Sequence, residues 1–152
     1  MTEKMNALAE FRAKFRTEEL KIADFGTWRL SLRPEQLTLG AMILSLKSGD
    51  MNLSDLKAEQ GCDMAAAFSW AENASRQKFG AVRLNLLCLM MKDPIVHFHI
   101  LPRYAHRVDC AGQSWVDTDW PGPPLVRPIE TDELALQTIL AELRSLRRPQ
   151  NG

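Results

Sequence analysis

The sequence predicts an α+β fold: an antiparallel sheet, one long helix crossing it, and a C-terminal helical extension. Three observations carry that expectation. Short stretches with a two-residue hydrophobic period crowd residues 20–47. One helical stripe then occupies the middle of the chain, and two strongly apolar runs separated by a few residues follow it. Strands this close together, with a single long helix among them, do not form a βαβ succession.

Leu8, Phe11 and Phe15 fall at helical spacing, so residues 3–16 are expected to form an amphipathic helix. LKIADFG and TWRLSLRP then alternate around Gly26 and read as a hairpin closed by Pro34. The first strand is expected to turn Leu20, Ile22 and Asp24 to one side, the second Trp28, Leu30 and Leu32, with Trp28 and Leu30 in the core. AMILSLK (41–47) is a third strand. Ser54 is a candidate N-cap for a helix over 55–79, where Met64, Phe68, Ala71, Ser75 and Phe79 recur on one face up to Gly80. AVRLNLLCLMM (81–91) and IVHFHILPRY (95–104), joined through Lys92-Asp93-Pro94, are expected to pair antiparallel in the middle of the sheet. Residues 111–128 read as irregular. Leu136, Ile139, Leu140 and Leu143 mark a last helix over 132–147, with Asp132 and Glu133 suited to its start and Arg144, Arg147 and Arg148 to its end.

The length of 152 residues is ordinary for one domain, and residues 1–152 are read as a single one. Nineteen basic and nineteen acidic side chains leave no net field to draw the chain onto nucleic acid or an anionic membrane. No run approaches the roughly 18 apolar residues of a membrane span. The opening MTEKMNALAEFRAKFR lacks the apolar segment of a signal peptide. Cys62, Cys88 and Cys110 form neither a disulfide framework nor a CxxC zinc pair. Reduced thiols in a cytoplasm are the expectation.

The stretch DPIVHFHILPRY (93–104) raises the functional question. Strand alternation puts Val96, Phe98 and Ile100 on one face, under the long helix, and Ile95, His97, His99 and Leu101 on the other. Two neighbouring imidazoles admit four readings: half-buried strand residues bonded to their surroundings, a metal site, chemistry on a phosphate, or phosphate binding without turnover. A catalytic zinc takes about three protein ligands, and Asp93, His106 and Cys110 supply no recognisable spacing for the third. Neutral imidazole is a good nucleophile, and a ring N–H a good donor. His106, alone on a loop, reads as unspecific.

VHFHILPR resembles the signature of the histidine triad (HIT) superfamily, His-φ-His-φ-His-φ-φ with φ apolar, often followed by Pro-Arg. LRPEQLTLGAMILSLK resembles the family's second conserved stretch, and LNLLCLMMKDP with DWPGPP resembles one bacterial branch. The likeness covers roughly residues 20–125. It implies a HIT-like fold and a hydrolase or transferase acting at the α-phosphate of a nucleotide conjugate, such as a dinucleoside polyphosphate or a nucleoside phosphoramidate. By the same resemblance His97 is the nucleophile, forming a nucleotidyl-histidine intermediate, and His99 stabilises phosphoryl charge and helps the leaving group. The partner it implies is a small-molecule nucleotide, the assembly a homodimer. No cofactor or resident metal is implied; Mg²⁺ would enter only with a polyphosphate substrate.

Two departures stand out. Ile95 occupies the place of the first triad histidine, and Gly40 is followed by Ala41 where the family often has another histidine. The alternative is therefore a nucleotide-binding protein that keeps the fold without useful turnover. A two-histidine metal module is the third reading. Asn85, a polar residue between Leu84 and Leu86, is a candidate to turn toward the phosphate; otherwise it is an edge position facing water. Arg103 is a candidate for neutralising a polyphosphate or a solvated strand end, and Arg33 falls near the family's ribose contact, where an asparagine is common. Trp115 and Trp120 are read as a lid over the leaving group or as anchors of a proline-rich segment.

Overall fold

The computed structural model describes residues 2–146. Helix α1 (Glu3–Phe15) starts where the Thr2 hydroxyl accepts from the Met5 amide, and it stops at Arg16, whose φ of 52° breaks the helical path. Strands β1 (Lys21–Phe25) and β2 (Trp28–Leu32) form the expected hairpin across Gly26, which supplies the positive φ of the turn. β3 (Met42–Leu46) follows. The pairing of β1 with β2 shifts register between Lys21 and Ala23. That irregularity changes the phase, so Phe25 is buried while Asp24, read on the side of Leu20 and Ile22, forms ion pairs with Lys21 and Arg29 at 3.2 Å.

The central helix α2 (Ala58–Phe79) begins later than its stripe indicated. Ser54 is not its N-cap, because residues 53–55 form a separate 3-10 turn; the Gln60 side chain instead accepts from the Lys57 amide. Its C-terminal end meets the expectation, with Gly80 at φ 75°. Strands β4 (Arg83–Leu87) and β5 (His97–Arg103) pair antiparallel, but both are shorter than their apolar runs. The order β1-β2-β3-β5-β4 puts β4 at the sheet edge, not in the middle. A short hairpin of β6 (Val108–Cys110) and β7 (Gln113–Trp115) puts its turn, Ala111 and Gly112 at φ 52° and 74°, and its second strand into the stretch read as irregular. Helix α3 (Glu133–Arg144) is capped by Asp132, which accepts from the Ala135 amide. Arg147 and Arg148 lie outside the described residues.

The sheet is antiparallel throughout and covered on both faces. Beneath α2, Trp28, Leu30, Leu44, Val96 and Ile100 form the main core, with Phe68 edge-on to Phe98 at 5.3 Å. Trp28 donates its indole N–H to the Gln60 carbonyl, so its one polar atom is satisfied within that core. The opposite face carries a smaller cluster, in which Phe11 and Phe15 of α1 pack on Ile43 and Ile95. No helix among the described residues is long and apolar enough to cross a membrane.

Candidate active site

On β5, His97 stands opposite Ser45 of β3, and His99 stands between Ile43 of β3 and Leu87 of β4. Directly paired residues share a face, so both rings lie on the side away from α2. Their centroids are 4.9 Å apart and their planes 83° from parallel. Helix α1 walls this side: Phe11 meets the His97 ring edge-on at 4.9 Å, and Phe15 meets the His99 ring edge-on at 6.0 Å. Both histidines are nearly inaccessible, at 2% and 6% exposure. Ile95 is buried in the adjoining apolar cluster, on the parity the sequence assigns it.

The hydrogen bonds decide where the ring protons sit. His97 Nδ1 is 2.5 Å from the Ile95 carbonyl oxygen. A carbonyl only accepts, so Nδ1 carries the proton and Nε2 keeps its lone pair. Arg33 Nε donates to His99 Nδ1 at 3.4 Å. An arginine only donates, so His99 holds its own proton on Nε2. Burial lowers the His97 pKa from its ordinary value, outweighing the opposite pulls of the Ile95 carbonyl and Asp93. His99 is pushed down to about 3, first by burial, then by the His97 and Arg33 charges. Near neutral pH the pair is therefore two uncharged imidazoles in opposite tautomers, one offering a bare nitrogen and the other an N–H.

Both rings open onto a cavity of about 460 Å³ that Arg33 also lines. That volume falls among ordinary small-molecule sites of roughly 300–1,000 Å³. Lys14, Arg33, Lys92 and Arg127 stand around it against Glu35 and Asp93, four cations to two anions. Lys14 is tied to Asp93 at 2.8 Å, which fastens α1 to the connection leading into β5. Arg33 Nη1 donates to the Glu35 carbonyl at 2.8 Å and lies 3.5 Å from its carboxylate. The arrangement suits an anion of more than one charge.

Of the residues singled out in the sequence, the structure brings His97, His99 and Arg33 together. Asn85 and Arg103 do not line the cavity. Arg103 is buried, donating to Asp117 at 2.7 Å, to the Asn85 side-chain oxygen at 2.7 Å and to the Gly122 carbonyl at 2.8 Å. Its guanidinium also lies 5.7 Å from the centre of the Trp120 ring. Trp115 donates to the Cys110 carbonyl, so both tryptophans anchor their segment. His106 is exposed and lines no part of the cavity. Among the described residues, no group of three His, Cys, Asp or Glu side chains is placed to hold a metal ion.

Lys14, Phe15, Lys92 and Arg127 are among the lining residues that sequence reasoning missed. One signal for the first two was present: an apolar stripe on residues 3–16 and an apolar Ile95 on the histidine face each needed a partner. Arg127 comes from the segment before α3 and carries no comparable signal.

No family model matches the sequence, and no curated protein matches it. Solved structures do. A histidine triad protein from Marinobacter aquaeolei superposes with a TM-score of 0.66 at 21% identity, covering 86% of this chain and 91% of that one. A histidine triad protein from Bradyrhizobium japonicum gives 0.64 at 19%, over 86% and 92% of the two chains. A hypothetical histidine triad nucleotide-binding protein from Sulfolobus tokodaii gives 0.65 at 13%, over 92% and 89%. The chain thus has the histidine triad fold.

Proposed function

We propose that the protein belongs to the histidine triad superfamily and hydrolyses or transfers at the α-phosphate of a nucleotide conjugate, a dinucleoside polyphosphate or a nucleoside phosphoramidate. The observation that carries this reading is the pair of contacts that set the ring protons, His97 Nδ1 on the Ile95 carbonyl and Arg33 Nε on His99 Nδ1, in the lining of a cationic cavity. The His97 Nε2 lone pair attacks the α-phosphorus, a P–N bond forms, and the bond to the leaving group breaks with its electron pair departing on that group. The His99 Nε2–H hydrogen-bonds to oxygen as charge builds there. Water then attacks the nucleotidyl-histidine; a P–O bond replaces the P–N bond and the water's proton is released. His97 needs no prior deprotonation, because burial already keeps it neutral. The name of the S. tokodaii protein as nucleotide-binding accords with this partner class.

No resident metal is needed in this scheme, and Mg²⁺ would accompany a polyphosphate substrate only. The edge position of β4 and the exposed Val82 and Leu86 support a homodimer in which that edge meets a second copy. Unpaired Cys62, Cys88 and Cys110 support a reducing compartment, the cytoplasm.

A second reading, nucleotide binding with little or no turnover, is favoured by Ile95, since no imidazole backs His97 from that side. One experiment separates the two. A panel of adenylyl and guanylyl conjugates is tested with wild type and His97→Ala. Turnover that disappears in the variant supports the hydrolase. Binding without turnover in wild type supports the second reading, and turnover unaltered in His97→Ala removes His97 as nucleophile.

A further inference from the structure

The guanidinium of Arg33 is buried, yet its only carboxylate partner among the described residues, Glu35, is 3.5 Å away and half exposed. A buried cation with so loose a counter-ion is costly to keep, so its placement calls for a reason. Its surroundings hold it rigidly. The Arg33 amide donates to the Ala41 carbonyl at 2.8 Å. Gln36 Nε2 donates to both the Arg33 and Ala41 carbonyls, while its oxygen accepts from the Gly40 amide. With Nη1 fixed on the Glu35 carbonyl, Nε is left directed at His99 Nδ1.

We propose that Arg33 is a positioning residue: by donating Nε–H to His99 Nδ1 it confines the His99 proton to Nε2, and it supplies the permanent positive charge that two neutral imidazoles lack. This deepens the reading given above and rests on it for the catalytic consequence, though not for the tautomer itself. A neutral imidazole free of partners populates both tautomers, and the Nδ1–H form of His99 would offer a lone pair where the phosphoryl oxygens need a donor. Among the described residues no other group bonds His99 Nδ1. The charged and titratable groups that face the ring are Arg33 after β2, Lys14 on α1, Asp93 before β5 and His97 on the same strand. Only Arg33 reaches a ring nitrogen. A lysine would keep the charge but not this geometry, because its ammonium lies at the end of a flexible stem and lacks the fixed Nε–H of a guanidinium.

The test begins without substrate. Ring ¹⁵N resonances of uniformly labelled wild-type protein should show His99 with a pyridine-like Nδ1 and a pyrrole-like Nε2, and His97 the reverse. In Arg33→Met, His99 should move to a mixture of tautomers while His97 stays unchanged. A wild-type His99 that carries its proton on Nδ1 overturns the proposal by itself, whether or not the variant folds. Unaltered His99 shifts in Arg33→Met overturn it too. In turnover, Arg33→Lys should lose about 10²-fold in kcat with KM little changed; a rise in KM at constant kcat would make Arg33 a simple phosphate contact. Failure of the nucleotide chemistry leaves the tautomer result standing, so the two ideas fail separately.

Discussion

Ile95 sits one alternation before His97, on the same face, clustered with Phe11, Phe15 and Ile43. A histidine there would replace an apolar side chain by a polar ring against Phe11, Phe15 and Ile43, at a cost of roughly 1–3 kcal/mol. Ile95→His should therefore lower the melting temperature and leave turnover no faster; a stable, faster variant would show that the cluster does not exclude an imidazole. That Ile95, His97 and His99 share a face was legible in advance, since the two-residue period of a regular strand is geometry and needs no tertiary information. The partners of Arg103 were not. Asp117 lies fourteen positions away across a hairpin, and nothing in that separation marks it. The pair is almost fully buried, so Asp117→Ala should cost about 3–5 kcal/mol in denaturant unfolding. Lys14→Ala, which breaks an ion pair whose lysine is half exposed, should cost under about 1 kcal/mol. Equal losses would contradict this ranking.

At the scale of elements, α1 has a part its sequence did not announce. Its stripe predicted only that one face is buried; the structure gives the destination, the imidazole side of the sheet. Phe11→Ala opens a cavity beside His97 and should cost about 3–5 kcal/mol. Because burial is the main cause of the depressed His97 pKa, letting water in should raise it toward the ordinary histidine value. A proton NMR titration of the His97 ring reads this directly, and an unmoved midpoint would mean that α1 does not set the desolvation. β4 shows the converse misreading. An apolar run of eleven residues looked central, yet Leu86 and Leu89 are exposed and Met91 is 87% exposed. Composition reports apolar surface, but whether the core, a ligand or another chain covers it depends on strand order, which pattern alone does not contain.

For the whole molecule, two buried neutral histidines tie stability to acid. The folded pKa of His99 lies near 3, below its unfolded value of about 6.5. The unfolded chain therefore binds the extra proton first, and stability falls as pH drops from about 6.5 toward 3. His97, shifted in the same direction, adds to the loss. The slope for one such group is about 1.4 kcal/mol per pH unit. His99→Gln should flatten this limb of the pH–stability curve, and an unchanged slope would put the acid lability elsewhere. The general architecture was legible because long stripes and alternating strands report it. The cavity was not, since its walls come from α1, the turn after β2, the connection before β5 and the segment before α3.

That dispersal bears on how the protein is handled. Trimming the chain to residues 20–125, where every recognisable motif lies, would keep both histidines and Arg33. It would also remove Lys14, Phe15 and Arg127, and with α1 the roof that keeps water from His97. Such a fragment would carry the signature of the site without its solvent barrier, and assays on it would report the chemistry of an exposed imidazole pair.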